Sequence, residues 1–142
     1  MKNFIVTLAV FLLLIIFPLQ TALETVNEQR KSRFHNIVHV AAQKARQEGG
    51  FTDEIRKELK KNLDDLVGPY GEIKYTLGED DVVKYREDNF NPDNIIKYNI
   101  EIPIGKIVAA APMLGIREEE NKYIVRKEGF VLSEKLKNQI KE

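Results

Sequence analysis

The spacing of apolar positions along the chain changes twice, and each change marks a new kind of element. From Phe4 to Leu23 there are twenty residues without a charge, and only Thr7, Gln20 and Thr21 are polar. At about 1.5 Å rise per residue this run reaches roughly 30 Å, the thickness of a bilayer's hydrocarbon core. Lipid offers no partner to a peptide N–H, so such a run is expected to be helical. Pro18 leaves the Leu14 carbonyl without its usual donor and predicts a kink near the outer end.

From Glu24 the pattern becomes amphipathic. Phe34, Ile37, Val38, Ala41 and Ala45 recur at steps of three and four, with Arg30, Lys31, Gln43, Lys44, Arg46 and Gln47 turned away from them. No Pro or Gly interrupts the chain between Pro18 and Gly49. The expected element is one helix from Phe4 to Glu48, roughly 65 Å long, stopped at Gly49-Gly50. A second helix follows, with Thr52 as N-cap and Asp53 and Glu54 in the first turn. Ile55, Leu59, Leu63 and Leu66 line its apolar face, and Gly68-Pro69 ends it.

Beyond Pro69 the period falls to two. Ile73, Tyr75 and Leu77 share one face, and DDVVKYRED offers a short strand with Val83 and Tyr85. The clearest strand is IIKYNIEIPI, where Ile96, Tyr98, Ile100, Ile102 and Ile104 alternate with Lys97, Asn99, Glu101 and Pro103. Pro103 predicts that this strand's end lies at a sheet edge. NKYIVRKEGFVL adds one or two strands, and Ser133 is positioned to cap a short final helix carrying Leu136 and Ile140. The turn-rich pieces GEDD, EDNFNPDN and REEEN separate the strands and allow antiparallel connections.

The fold class is therefore α+β: a long N-terminal helix with a transmembrane and an amphipathic half, a second short helix, and a small antiparallel sheet of about four strands. The boundaries are 1–23 for the transmembrane or signal-anchor segment, 24–48 for the amphipathic continuation and 49–142 for a small α+β globular domain. Between two strands lies GKIVAAAPMLGI, whose run Val108 to Ala111 is broken by Pro112. It reads either as a buried crossover or as an apolar patch exposed to a partner, with Val108, Ala110, Met113 and Leu114 as its residues.

Composition narrows the function. With 22 Lys+Arg against 22 Asp+Glu the net charge is zero, so the basic footprint of a nucleic-acid binder is missing. The chain has no Cys, which excludes disulfides, thiolate metal sites and Cys nucleophiles. His35 and His39 stand four apart in HNIVH, a spacing that can place two imidazoles on one zinc. A metalloprotease helix needs Glu after the first His, and Asn36 occupies that place. Asp88 to Asn94 is rich in oxygen ligands but lacks the central Gly and closing Glu of a calcium loop. No G-x-S-x-G elbow or glycine-rich phosphate cradle occurs, and GEDD reads as a solvated turn. The basic group Arg30-Lys31-Ser32-Arg33 reads either as a contact to lipid phosphates or as a solvated helix face. No catalytic residue, cofactor, metal or small-molecule substrate is expected.

Three readings of the first run compete: a retained anchor, a cleaved signal peptide and a buried helix of a soluble fold. Lys2 and the Leu8–Phe17 core are signal-like. Cleavage after Ala22, however, would place Gln20 where a small residue is needed, and the unbroken helical pattern past Leu23 favours the anchor. Lys2 lies on the short side, with Arg30, Lys31 and Arg33 beyond the other end. That count taken alone favours a cytoplasmic head, although the cluster begins seven residues past the run and is interleaved with Glu24 and Glu28. The short N-terminal tail resembles a secretion signal-anchor and places the globular domain outside the cell membrane, on a single-pass protein.

A hydrophobic helix running without a break into an amphipathic half, followed by a small antiparallel sheet, resembles type IV pilins and their pseudopilin relatives, including TadE-like minor pilins. Phe4 to Leu23 with Pro18 inside, then Glu24 to Glu48, carry the resemblance. It implies a helix that first holds the subunit in the bilayer and then packs against other copies, through Phe4, Leu8, Phe11, Ile15, Pro18, Phe34 and Val38. Two positions depart from the family pattern. Asn3 precedes Phe4 where prepilins have Gly, and Leu8 stands where pilins commonly carry Glu. The expected partners are the lipid bilayer and proteins, either copies of the chain or other envelope subunits. The alternative function is a bitopic accessory or binding protein of a secretion, conjugation or envelope complex.

Overall fold

The computed structural model describes residues 1–78, 82–86 and 91–137. The protein is α+β: a long helix, a shorter second helix and a three-stranded antiparallel sheet. Helix α1 spans Lys2–Glu48 and continues through Pro18 as one element. Its end is set by Gly49, whose φ of 80° is the left-handed conformation that glycine adopts without penalty. A side chain is also excluded there, because a Cβ on Gly49 would lie 2.3 Å from the Lys84 carbonyl oxygen.

Helix α2 spans Asp53–Val67 and starts as its sequence requires, with the Thr52 hydroxyl accepting the Ile55 N–H and Asp53 and Glu54 in the first turn. Ile55, Leu59, Leu63 and Val67 form its buried face. The four-residue step continues to Val67, leaving Leu66 only partly covered. The Lys44 ammonium donates to the Glu58 carboxylate at 2.7 Å, an exposed tie between the two helices.

Strands β1 (Lys74–Leu77), β2 (Ile95–Gly105) and β3 (Lys122–Leu132) form the sheet in that order. β2 is central, not an edge strand. Its last β1 partner, however, is Glu101 opposite Lys74, so the Pro103 end pairs with β3 alone. That is how a residue without an N–H is tolerated in a central strand. The alternation in β2 holds as far as Ile102: Ile96, Ile100 and Ile102 are buried, with Tyr98 half-covered among them. Pro103, expected on the outer face, is buried together with Ile104 and Gly105.

The core lies between the sheet's inner face and both helices. Phe34, Val38, Ala41 and Ala45 of α1 meet Ile55, Leu59 and Leu63 of α2, the β2 isoleucines and Val125 of β3. The second half of α1 is thus part of the same hydrophobic core as the residues that follow it.

NKYIVRKEGFVL is a single strand, within the expected one or two. Two expectations are corrected. The Val83–Tyr85 stretch lies outside the sheet, which leaves three strands among the described residues against about four expected. The Lys84 N–H bonds the Gly49 carbonyl and the Arg86 N–H bonds the Lys135 carbonyl, each at 2.8 Å. Ser133 does not start a helix within 133–137; its hydroxyl donates to the Lys84 carbonyl at 2.6 Å. Ile140, most of GEDD and Asp88 to Phe90 lie outside the described residues.

Candidate functional site

The two halves of α1 have opposite surroundings. Phe4, Leu8, Phe11, Ile15 and Pro18 are all exposed, as is nearly every neighbour up to Leu19. Phe34 and Val38 are at 0% and 1% exposure, covered by the chain's own sheet and second helix. The residues expected to form an assembly helix therefore fall into two groups, and only those of the first half present a free surface. That half is long and apolar enough to cross a membrane as a single span, and none of its apolar window is covered by the other described residues.

At the junction of the two halves, the loop between β2 and β3 comes down beside the helix. Asn27, buried on α1, donates its Nδ2–H to the Lys106 carbonyl at 3.1 Å. Two turns nearer the N-terminus, Gln20 Nε2 donates to the Ile107 carbonyl at 2.9 Å and Gln20 Oε1 accepts the Ala109 N–H at 3.0 Å. From Lys106 to Ala109 the loop thus descends the helix from the level of Asn27 to that of Gln20, about 10 Å along the axis.

The neck of the loop is closed by Asn121, itself buried. Its Oδ1 accepts the N–H groups of Ile107 and Val108 at 2.9 and 2.8 Å, and its Nδ2 donates to the Val108 carbonyl at 3.0 Å. The Lys106 N–H bonds the Asn121 carbonyl at 2.6 Å, with Lys106 at φ 59°, a left-handed conformation that is unfavourable for a residue with a side chain. Beyond the neck Ala111 is buried, Val108 and Ala110 are half-buried, and Met113 and Leu114 stand 67% exposed at the tip. Of the two readings of GKIVAAAPMLGI, the tip residues match the exposed patch and Ala111 matches the buried crossover. At the far side of the loop Arg117 donates to Glu120 at 2.6 Å, and that ion pair lowers the Glu120 carboxyl below its usual range.

The other candidates separate. His35 is half-buried against Phe34, ring centroids 5.4 Å apart, and its Nδ1 is buried with no hydrogen-bond partner among the described residues. His39 is exposed, and among the described residues no group of three His, Asp or Glu comes together. Arg30 lies over the Tyr70 ring at 5.1 Å, so one member of the basic group is engaged within the head. Asn91 accepts the Asp93 N–H through its side chain, which makes the described part of that acidic stretch an ordinary turn. Sequence reasoning missed the roles of Gln20, Asn27 and Asn121. The one signal for them was a Gln inside an otherwise apolar run, and its partners lie 87 and 89 residues away.

Compared with protein-family models, curated proteins and solved structures, the chain shows no match.

Proposed function

We propose that the protein is a non-enzymatic, membrane-anchored subunit of the cell envelope, pilin-like or pseudopilin-like, which assembles through the first half of α1. The observation that carries this reading is the asymmetry of one continuous helix. Phe4 to Leu19 is almost entirely bare among the described residues, while Phe34 to Ala45 is the spine of an α+β head. An apolar cylinder of this length is not stable in water and requires either lipid or other helices around it. A helix built into the head transmits the position of the anchor directly to the head, as a filament or complex subunit requires. The head stands on the extracytoplasmic side.

A second reading, a bitopic accessory protein that stays in the membrane, draws on Asn3 and Leu8. Without a Gly before Phe4 and a carboxylate at position 8, the chain lacks the processing signal and the charge pairing on which pilin assembly relies.

The experiment is mass spectrometry of the N-terminus of the purified protein, together with a photo-crosslinking residue at Phe11 in cells. A chain beginning at Phe4 with self-crosslinks supports assembly. An intact Met1 with crosslinks only to other proteins supports the bitopic reading. A chain beginning near Leu23 refutes both.

A further inference from the structure

We propose that the loop Ile107–Ile116 is a second membrane contact, a shallow apolar wedge that enters the bilayer interface beside α1. The inference rests on the anchor reading and adds to it a lipid-binding site in the globular head.

Three observations carry it. The first is level. Gln20 grips Ile107 and Ala109, and Gln20 lies at the outer end of the uncharged run from Phe4 to Leu23. If that run crosses the bilayer, the loop reaches the bilayer surface. The second is chemistry. The ten residues Ile107 to Ile116 carry no charge, while Lys106 and Arg117 flank them. The largest apolar side chains at the tip, Met113 and Leu114, point away from the protein.

The third observation separates this loop from an ordinary solvated one. Its backbone donors are satisfied within the protein, apart from that of Ala110. Ile107 and Val108 donate to Asn121, and Ala109 donates to Gln20. Ala111 donates to Val108, Met113 and Leu114 to Ala110, Gly115 to Pro112, and Ile116 to Ala111. Pro112 has no N–H to satisfy. A loop in water has no need of such closure, whereas one that meets acyl chains does, because lipid cannot replace the lost hydrogen bonds. The glutamates 118–120 follow directly and keep the far side of the loop in the aqueous layer, so the insertion is shallow.

The chain has no Trp, so a single introduced Trp reports its own surroundings. The full-length protein is reconstituted into phosphatidylcholine vesicles whose lipids carry bromine at either a shallow or a deep acyl position. Leu114→Trp, at an exposed site, is the probe; Leu13→Trp, in the middle of the run, tests the anchor itself. Expected results are a blue-shifted Leu114→Trp emission quenched more by shallow than by deep bromine, with Leu13→Trp quenched most by deep bromine. If Leu13→Trp is quenched but Leu114→Trp emits as in water, the anchor stands and the wedge is overturned. A blue-shifted Leu114→Trp that bromine does not quench overturns the wedge in favour of a protein contact. An unquenched Leu13→Trp overturns the anchor reading, and the wedge with it.

Discussion

Gln20 and Ala109 are 89 residues apart in the chain and joined by a hydrogen bond of 3.0 Å from the Ala109 N–H to the Gln20 side chain. Through this bond and its companion to Ile107, the only amide in the apolar run holds the β2–β3 loop against α1. A side chain that looks like a defect in a membrane-length segment is a clamp between segment and head.

Replacing that clamp is expected to free the loop without unfolding the head. Gln20→Ala removes two side chain–backbone bonds, each worth about 1 kcal/mol net. Hydrogen exchange in detergent will show faster exchange at Ala109 and its neighbours, with the amides of β2 unchanged. Unaltered loop exchange would mean that Asn121 alone sets the loop.

Asn121→Ala is expected to be more damaging, because Asn121 is buried and serves three backbone groups of the loop. Leaving them unpaired costs about 1–3 kcal/mol, read as a lower midpoint of thermal unfolding. Asn121→Asp keeps the two acceptor bonds and should fall between the two.

Gly105 is required by Tyr70. A Cβ at position 105 would lie 2.0 Å from the Tyr70 ring, so Gly105→Ala must displace the ring from beneath Arg30. The expected loss is about 1–3 kcal/mol. Combined with Tyr70→Ala, the same substitution should have a much smaller effect. Full additivity would place the conflict elsewhere.

His35 is expected to make stability depend on pH. Burial is the main cause that lowers its pKa from 6.5, and the nearby charges of Lys127 and Lys31 lower it further. The folded chain therefore binds the proton more weakly than the unfolded chain. Stability is complete above the unfolded value and declines as the pH falls through it toward the lower folded value. His35→Gln should flatten that decline in thermal melts taken as the pH is lowered through about 6.5. A wild-type slope in the variant would show that another group is responsible.

The local pattern determined much of this protein. Helix α1 as a single element, the cap at Thr52, the α+β class and the inward face of β2 all follow from spacing, capping chemistry and alternation. These depend on residues a few positions apart, and such relationships are readable along the chain. The apolar run likewise announced a helix of membrane length.

Only the tertiary structure decided what the polar exceptions do. Gln20, Asn27 and Asn121 find their partners across long stretches of sequence, where no periodicity points. Val83 to Tyr85 has the composition of a strand, yet the N–H groups of Lys84 and of the adjoining Arg86 bond the carbonyls of Gly49 and Lys135 instead of a sheet neighbour. Phe34 and Phe11 are the same residue on the same helix. One is sealed in the head and the other is bare because the chain returns to cover α1 only beyond Gln20, and that return is a property of the fold.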